Sequence, residues 1–137
     1  ITTRSRYGLR FLVELARLES SVPVDLGRVA KEQDISELYL SKLAVPLKSA
    51  GIIRSARGAK GGFELAKKAE DITLLAIVEA LEGRQSLLEC TADPGTCKRS
   101  ADCATLPIWR GLDAAIKNYL SGITLAKVAD MVPDYSI

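Results

Sequence analysis

The chain has 137 residues, 47% hydrophobic and 26% charged, with 3 cysteines and no histidine. That length suits one compact domain, or a small domain with an attached assembly element, and no apolar run approaches the roughly 18 residues of a membrane span. The odd, low cysteine count argues for a reducing cytoplasm over a disulfide scaffold, the missing imidazole removes every histidine-dependent mechanism, and 5% aromatic content is thin for a single-strand stacking platform.

The net charge of +2 is unevenly spread. Residues 1–65 hold 11 Lys/Arg against 7 Asp/Glu, net +4; residues 66–137 hold 8 against 10, net −2. A basic first half and a mildly acidic second half suggest that one end meets a polyanion.

Along the chain, Gly8, Phe11, Leu12, Leu15 and Ala16 recur at three-to-four spacing within Ser5–Leu18, one face of a helix. Ser20-Ser21-Val22-Pro23 ends it. Asp25 is an N-cap for a short helix with Leu26, Val29 and Ala30 inward, and Asp34 suits a left-handed turn. Ser36 caps a second helix, Glu37–Ala50, with Leu40, Leu43, Ala44 and Leu47 inward and Gly51 as its stop; Pro46 predicts a kink. A short helix, a tight turn and a second helix with polar residues outward make a helix-turn-helix, though spacing alone also fits a plain helical hairpin.

The next segment tips the balance. Ile52–Ala56 and Phe63–Leu65 read as strands joined by Arg57-Gly58-Ala59-Lys60-Gly61-Gly62, a hairpin that after a helix-turn-helix is a wing. Its glycines let the backbone approach a phosphate chain, and its loop leads into a strand, which excludes a nucleotide-binding P-loop. Thr73 then caps a helix carrying Leu74, Ile77, Val78 and Leu81 and ending at Gly83. Residues 84–105 are irregular. From Leu106, with Pro107 in the first turn, a longer helix carries Trp109, Leu112, Ile116, Tyr119 and Ile123 at steps of three and four, a stripe suited to pairing with a second subunit, though a helix packed on its own domain shows the same pattern. Thr124–Met131 suggests a last short helix.

All the cysteines lie in the irregular segment: Cys90, Cys97 and Cys103 are separated by six and then five residues. Three thiolates so close favour an iron–sulfur centre over thiol redox sensing, and both over zinc, which asks for C-x₂₋₄-C pairs and four ligands. Lys98 and Arg99 offset thiolate charge. An electron carrier or thiol reductase lacks its C-x-x-C or base–nucleophile set here. A winged helix that docks protein instead of DNA differs in lacking salt-dependent duplex binding.

Thr2-Thr3-Arg4-Ser5-Arg6-Tyr7-Gly8-Leu9-Arg10, Ile35-Ser36-Glu37-Leu38-Tyr39-Leu40, the wing Arg57–Phe63 and Cys103-Ala104-Thr105-Leu106-Pro107-Ile108-Trp109 together resemble the IscR/NsrR-type (Rrf family) winged-helix regulators, in the right order over nearly the whole chain. The resemblance implies a mainly α fold with a small β-hairpin: a winged helix-turn-helix domain over 1–83, a cluster-binding cysteine loop over 84–105, and a dimerisation helix with tail over 106–137. It implies a cytoplasmic homodimer, not an enzyme and not a membrane protein, that binds a palindromic double-stranded operator and regulates or represses genes such as those of cluster assembly; the alternatives within the same fold are a nitric-oxide or thiol-redox sensing repressor and a cluster-free member that responds to a protein partner or metabolite. Cys90, Cys97 and Cys103 would hold an iron–sulfur cluster, 2Fe–2S favoured over 4Fe–4S. Two branches of the family complete the cluster with a histidine or with an N-terminal aspartate; this chain has neither, Arg6 standing in the aspartate's place, which leaves Glu89, Asp93, Asp102, a small thiol or solvent as fourth ligand. Expected DNA contacts are Glu37 and Ser41 on base edges, Tyr39 and Lys42 on phosphates with Leu38 beside them, Arg57 in the minor groove, and Arg54, Lys60, Gly61 and Gly62 on the backbone, with Ser5 and Tyr7 completing the set.

Overall fold

The computed structural model describes residues 1–18, 22–57, 61–83 and 86–131; the expected contact Lys60 and the tail beyond Met131 lie outside the described residues. Helix α1 (Thr3–Arg17) begins where Thr2 accepts the Arg4 amide and buries the expected stripe, Gly8, Phe11, Leu12, Leu15 and Ala16. Gly8 lies close to Leu81: a Cβ there would lie 2.3 Å from a Leu81 methyl, so any larger residue would have to displace that buried side chain.

Helix α2 (Leu26–Gln33) is capped by Asp25, and Asp34 closes it with φ 51°, ψ 51°, the left-handed turn that a short polar side chain tolerates. Helix α3 (Glu37–Ser49) starts at Ser36, whose hydroxyl accepts the Tyr39 amide, and buries Leu40, Leu43, Ala44 and Leu47. It runs unbroken through Pro46 and stops before Gly51, at φ 68°.

Strands β1 (Ile53–Ala56) and β2 (Gly62–Leu65) pair antiparallel, Ile53 opposite Leu65 and Ala56 opposite Gly62. The free edge of β2 is tied to the segment before α2: Phe63 and Val24 exchange both main-chain hydrogen bonds, 2.8 and 2.9 Å. The wing is thereby fixed to the helix-turn-helix. Helix α4 (Leu74–Glu82) follows, capped by Thr73 and ended by Gly83 at φ 85°.

The stretch read as irregular contains a single helical turn, α5 (Glu89–Ala92), and two 3₁₀ turns, Pro94–Thr96 and Ser100–Asp102. Helix α6 (Leu106–Ser121) has Pro107 in its first turn, and α7 (Leu125–Ala129) is capped by Thr124. One expectation changes here. Ile123 is not on α6: the helix stops at Ser121, and the Ile123 carbonyl accepts the Leu74 amide (2.9 Å) while Leu125 N–H donates to Ile72 (2.8 Å). The helical stripe therefore ends at Tyr119, because the main chain after it is committed to the entrance of α4.

Phe11, Leu12, Val29, Leu40, Leu43, Leu47, Ile53, Ile72, Ile77, Leu81 and Leu125 are fully buried in one core. Each such side chain contributes about 1.5–3 kcal/mol by leaving water. Since Leu125 belongs to α7, the chain beyond α6 folds back into the same core as the helix-turn-helix, packing on α1.

Candidate nucleic-acid interface and cysteine loop

The N-terminal half of α3 is open to solvent. Glu37, Leu38, Ser41 and Lys42 are exposed, Leu38 at 69%, while Tyr39 is half-buried. Leu38 is a single exposed apolar side chain among polar and cationic neighbours. The Ser41 hydroxyl donates to the Glu37 carbonyl at 3.0 Å and keeps its acceptor capacity outward.

Beside α3 lies the basic flank of α1. The rings of Tyr7 and Tyr39 meet edge to face, 5.9 Å apart at 87°, and the guanidinium groups of Arg6 and Arg10 sit 5.8 and 5.6 Å from the centre of the Tyr7 ring. Two cations over the ring of Tyr7, which itself meets Tyr39 of α3, place positive charge beside the end of the helix that would lead into a groove. Reading the sequence picked Tyr7 here and missed Arg6 and Arg10, although their i, i+4 spacing puts both on one helix face.

Ser5, expected to touch DNA, is turned inward. It is buried, and both its amide and its hydroxyl donate to Glu82 Oε1, at 3.3 and 2.6 Å. Its role is to close the end of α1 against α4. Gly62 is likewise a packing residue: a Cβ would lie 2.6 Å from the Val24 carbonyl oxygen, and its partner across the ladder is Ala56. Because Phe63 turns its amide to Val24, the Gly62 amide points toward β1 and not to a phosphate. On the wing, Arg57 and Gly61 are exposed, whereas Arg54 is paired across the strands with Glu64 at 2.6 Å, in open solvent where such a pair is weak.

The cysteine loop is closed by its own short-range hydrogen bonds. Thr91 donates to the Leu88 carbonyl (2.7 Å), Asp93 accepts the Gly95 amide (2.9 Å), and Thr96 donates to the Asp93 carbonyl (2.8 Å). Cys90 is half-buried on α5, Cys97 is exposed after the first 3₁₀ turn, and Cys103 is half-buried after the second. The Thr105 hydroxyl lies 3.4 Å from Cys103 Sγ; this bond, the amides of Thr105 and Leu106 and the nearby Arg99 charge hold that thiol below its ordinary range. The Ser100 hydroxyl oxygen is shielded from water and has no hydrogen-bond partner among the described residues.

Three thiols on one loop are soft donors that suit iron held on sulfur. Their arrangement does not: among the described residues, no three Cys, Asp or Glu side chains gather around one point. Asp93, an expected oxygen donor, is engaged with Gly95. In this conformation the residues do not fit a cluster.

On α6, Ile108, Leu112 and Tyr119 are exposed along one face, and Trp109 is 41% exposed beside them. Ile116 departs from the stripe: with Leu75, Val78 and Leu120 it lines the cleft between α4 and α6. No described helix is long and apolar enough to cross a membrane.

Residues 1–131 match the family model Rrf2, described as an iron-dependent transcriptional regulator. The chain is 42% identical over 137 residues to the protein rrf2 of Nitratidesulfovibrio vulgaris, covering all of this chain and 89% of that protein. Its structure resembles that of CymR (YrzC), the global cysteine regulator of B. subtilis, with TM-score 0.80, 33% identity, and 97% and 98% of the two chains covered. It also resembles T. potens IscR, with TM-score 0.76, 30% identity, and 98% and 93% covered. A helix-turn-helix with a fixed wing, a basic aromatic flank and a family match over residues 1–131 lead to one conclusion: this chain belongs to the Rrf2 family of winged-helix transcriptional regulators, DNA-binding proteins and not enzymes.

Proposed function

We propose that two copies of this chain, paired through α6, bind a roughly palindromic duplex in the cytoplasm, and that the state of the Cys90–Cys103 loop sets how well they bind. The observation that carries the DNA half is the bare N-terminal half of α3 flanked by Arg6 and Tyr7. In this reading α3 enters the major groove. Glu37 and Ser41 face base edges, Leu38 lies against a thymine methyl, and Lys42 and Tyr39 hold phosphates. Arg57 enters the minor groove with Gly61 close to the backbone, and Arg54 reaches phosphate by exchanging its Glu64 partner. The exposed Ile108–Leu112–Tyr119 face, with Trp109 at its side, is apolar surface that a second α6 would cover.

For the signal, the finer reading is iron–sulfur status, with Cys90, Cys97 and Cys103 as ligands of a 2Fe–2S centre in preference to 4Fe–4S. It is supported by the donor chemistry and by similarity to a protein named IscR. Because the described loop does not gather the three thiols, no step is derived through a cluster. A second reading, direct thiol redox or nitric oxide chemistry, is favoured by the exposure of Cys97 and by the Cys103–Thr105 contact.

Two measurements test these statements. Duplex affinity titrated against salt should fall steeply, with a slope of about −0.9 per phosphate contacted; binding that ignores salt overturns the DNA reading. Anaerobic reconstitution followed by absorption spectroscopy with iron and sulfide assay should give a coloured protein if iron is the signal; a colourless one leaves the thiol reading.

A further inference from the structure

Arg10 is exposed on the same flank of α1 as Arg6 and has the appearance of one more cation for the phosphate backbone. Its guanidinium is committed elsewhere. Nε donates to Gln33 Oε1 at 2.8 Å and Nη2 to the Gln33 main-chain carbonyl at 2.7 Å. Gln33 is the last residue of α2, and its carbonyl is one of those a helix end leaves without an internal partner. A cation there satisfies the oxygen and complements the negative end of the helix dipole. The Gln33 amide nitrogen then donates to Glu14 Oε1 at 2.8 Å, so two residues of α1 grip one side chain of α2.

The residue gripped stands immediately before Asp34, whose left-handed backbone sets the direction from α2 into α3. On its other side the Arg10 guanidinium lies 5.6 Å from the centre of the Tyr7 ring, which meets Tyr39 of α3 edge to face. One side chain thus touches both the turn that aims α3 and the aromatic pair that steadies its leading end.

We propose that Arg10 is a positioning residue: through Gln33 and Tyr7 it fixes the angle of α3 against α1, and it contributes to sequence discrimination without contacting DNA. The proposal rests on α3 being the helix that reads the duplex. Its chemistry is specific to arginine, since a planar fork with two N–H groups spans the side-chain and main-chain oxygens of Gln33, and a lysine ammonium presents a single point.

The test compares Arg10→Lys, Arg10→Gln, Gln33→Ala and the Arg10→Lys/Gln33→Ala pair with wild type, each checked for an intact thermal transition. The probes are a duplex enriched from a random pool by the wild-type protein and a scrambled duplex of equal length, titrated at several salt concentrations. Arg10→Lys should weaken the enriched duplex about tenfold and the scrambled one less than about twofold, with an unchanged salt slope. The double variant should lose little more than either single one, as residues acting as a unit do. The proposal is overturned if Arg10→Lys binds the enriched duplex like wild type. It is equally overturned if Arg10→Gln weakens both duplexes alike, with a salt slope shallower by about one, the mark of a lost phosphate contact. A wild-type protein that enriches no duplex would instead overturn the reading of α3 on which the proposal rests.

Discussion

The Ser5 hydroxyl donates to Glu82 at 2.6 Å, joining the first turn of α1 to the last residue of α4. The same carboxylate oxygen accepts the amide and hydroxyl of Thr2, at 2.8 and 2.7 Å. A side chain from one helix therefore caps the start of another, 77 residues earlier in sequence, and the cysteine loop begins directly after it. Burial pushes the Glu82 carboxyl up, but the bonds from Ser5 and Thr2 outweigh it and bring it from 4.5 down to about 2. A depressed carboxyl stabilises the fold fully above its unfolded value and loses that contribution as pH falls through its folded one. Glu82→Ala should cost about 1–3 kcal/mol at neutral pH by leaving inward-facing donors unpaired. Thermal unfolding of wild type and variant between pH 7 and 2 should show the gap constant above about pH 5 and closing below pH 4.

Gly62→Ala should destabilise by about 1–3 kcal/mol, because the new methyl meets the Val24 carbonyl, main-chain atoms that no rotamer change can move aside. Proteolysis of the wing in the native state is the sensitive readout. An unaffected variant would restore Gly62 to the list of candidate phosphate contacts.

Arg57 is the exposed cation at the described edge of the wing. Replacing it with Ala should cost about 1–3 kcal/mol of operator affinity if it reads a base step, and flatten the salt slope by about one if it only pairs a phosphate. A salt titration of both proteins separates the two, and no change in either quantity removes Arg57 from the interface.

Leu112 is 45% exposed on the outer face of α6. Leu112→Asp leaves the core untouched and places a charge on the surface proposed for pairing. Sedimentation should then show a folded monomer, with affinity for a two-half-site duplex reduced by about 10²-fold through lost bivalency. Retention of the wild-type oligomeric state would move the interface elsewhere.

The parts of the fold that were legible in the sequence are those decided within a few residues. Asp25, Ser36 and Thr73 cap the helices they precede, and Asp34, Gly51 and Gly83 take the left-handed or positive-φ positions that close them, since caps and turns depend on local side-chain chemistry. The burial stripe of α1 followed from its period. What escaped was set at long range. Nothing near Ser5 announces Glu82, and nothing near Arg10 announces Gln33; a polar residue on a helix looks the same whether it faces DNA or another helix end. Ile123 kept the spacing of the α6 stripe but was drawn off the helix by the main chain of α4, a partner 49 residues away. At the cysteine loop, spacing established that three thiols share a segment, while whether they gather depends on the path of the loop, and among the described residues no three ligand-type side chains do.

The stitch between Ile123–Leu125 and Ile72–Leu74 has a mechanical meaning. It makes the foot of α6 part of the same solid body as the reading head, so that the 16-residue helix, about 24 Å long and packed along α4, turns together with that head. If its outer face is clasped by a second α6, a tilt of about ten degrees between the two carries a point about 24 Å from the crossing through about 4 Å, slightly more than the 3.4 Å rise of one base pair along a strand. A regulator built on this plan can fall out of step with its two half-sites through a tilt too small to disturb any residue of the core.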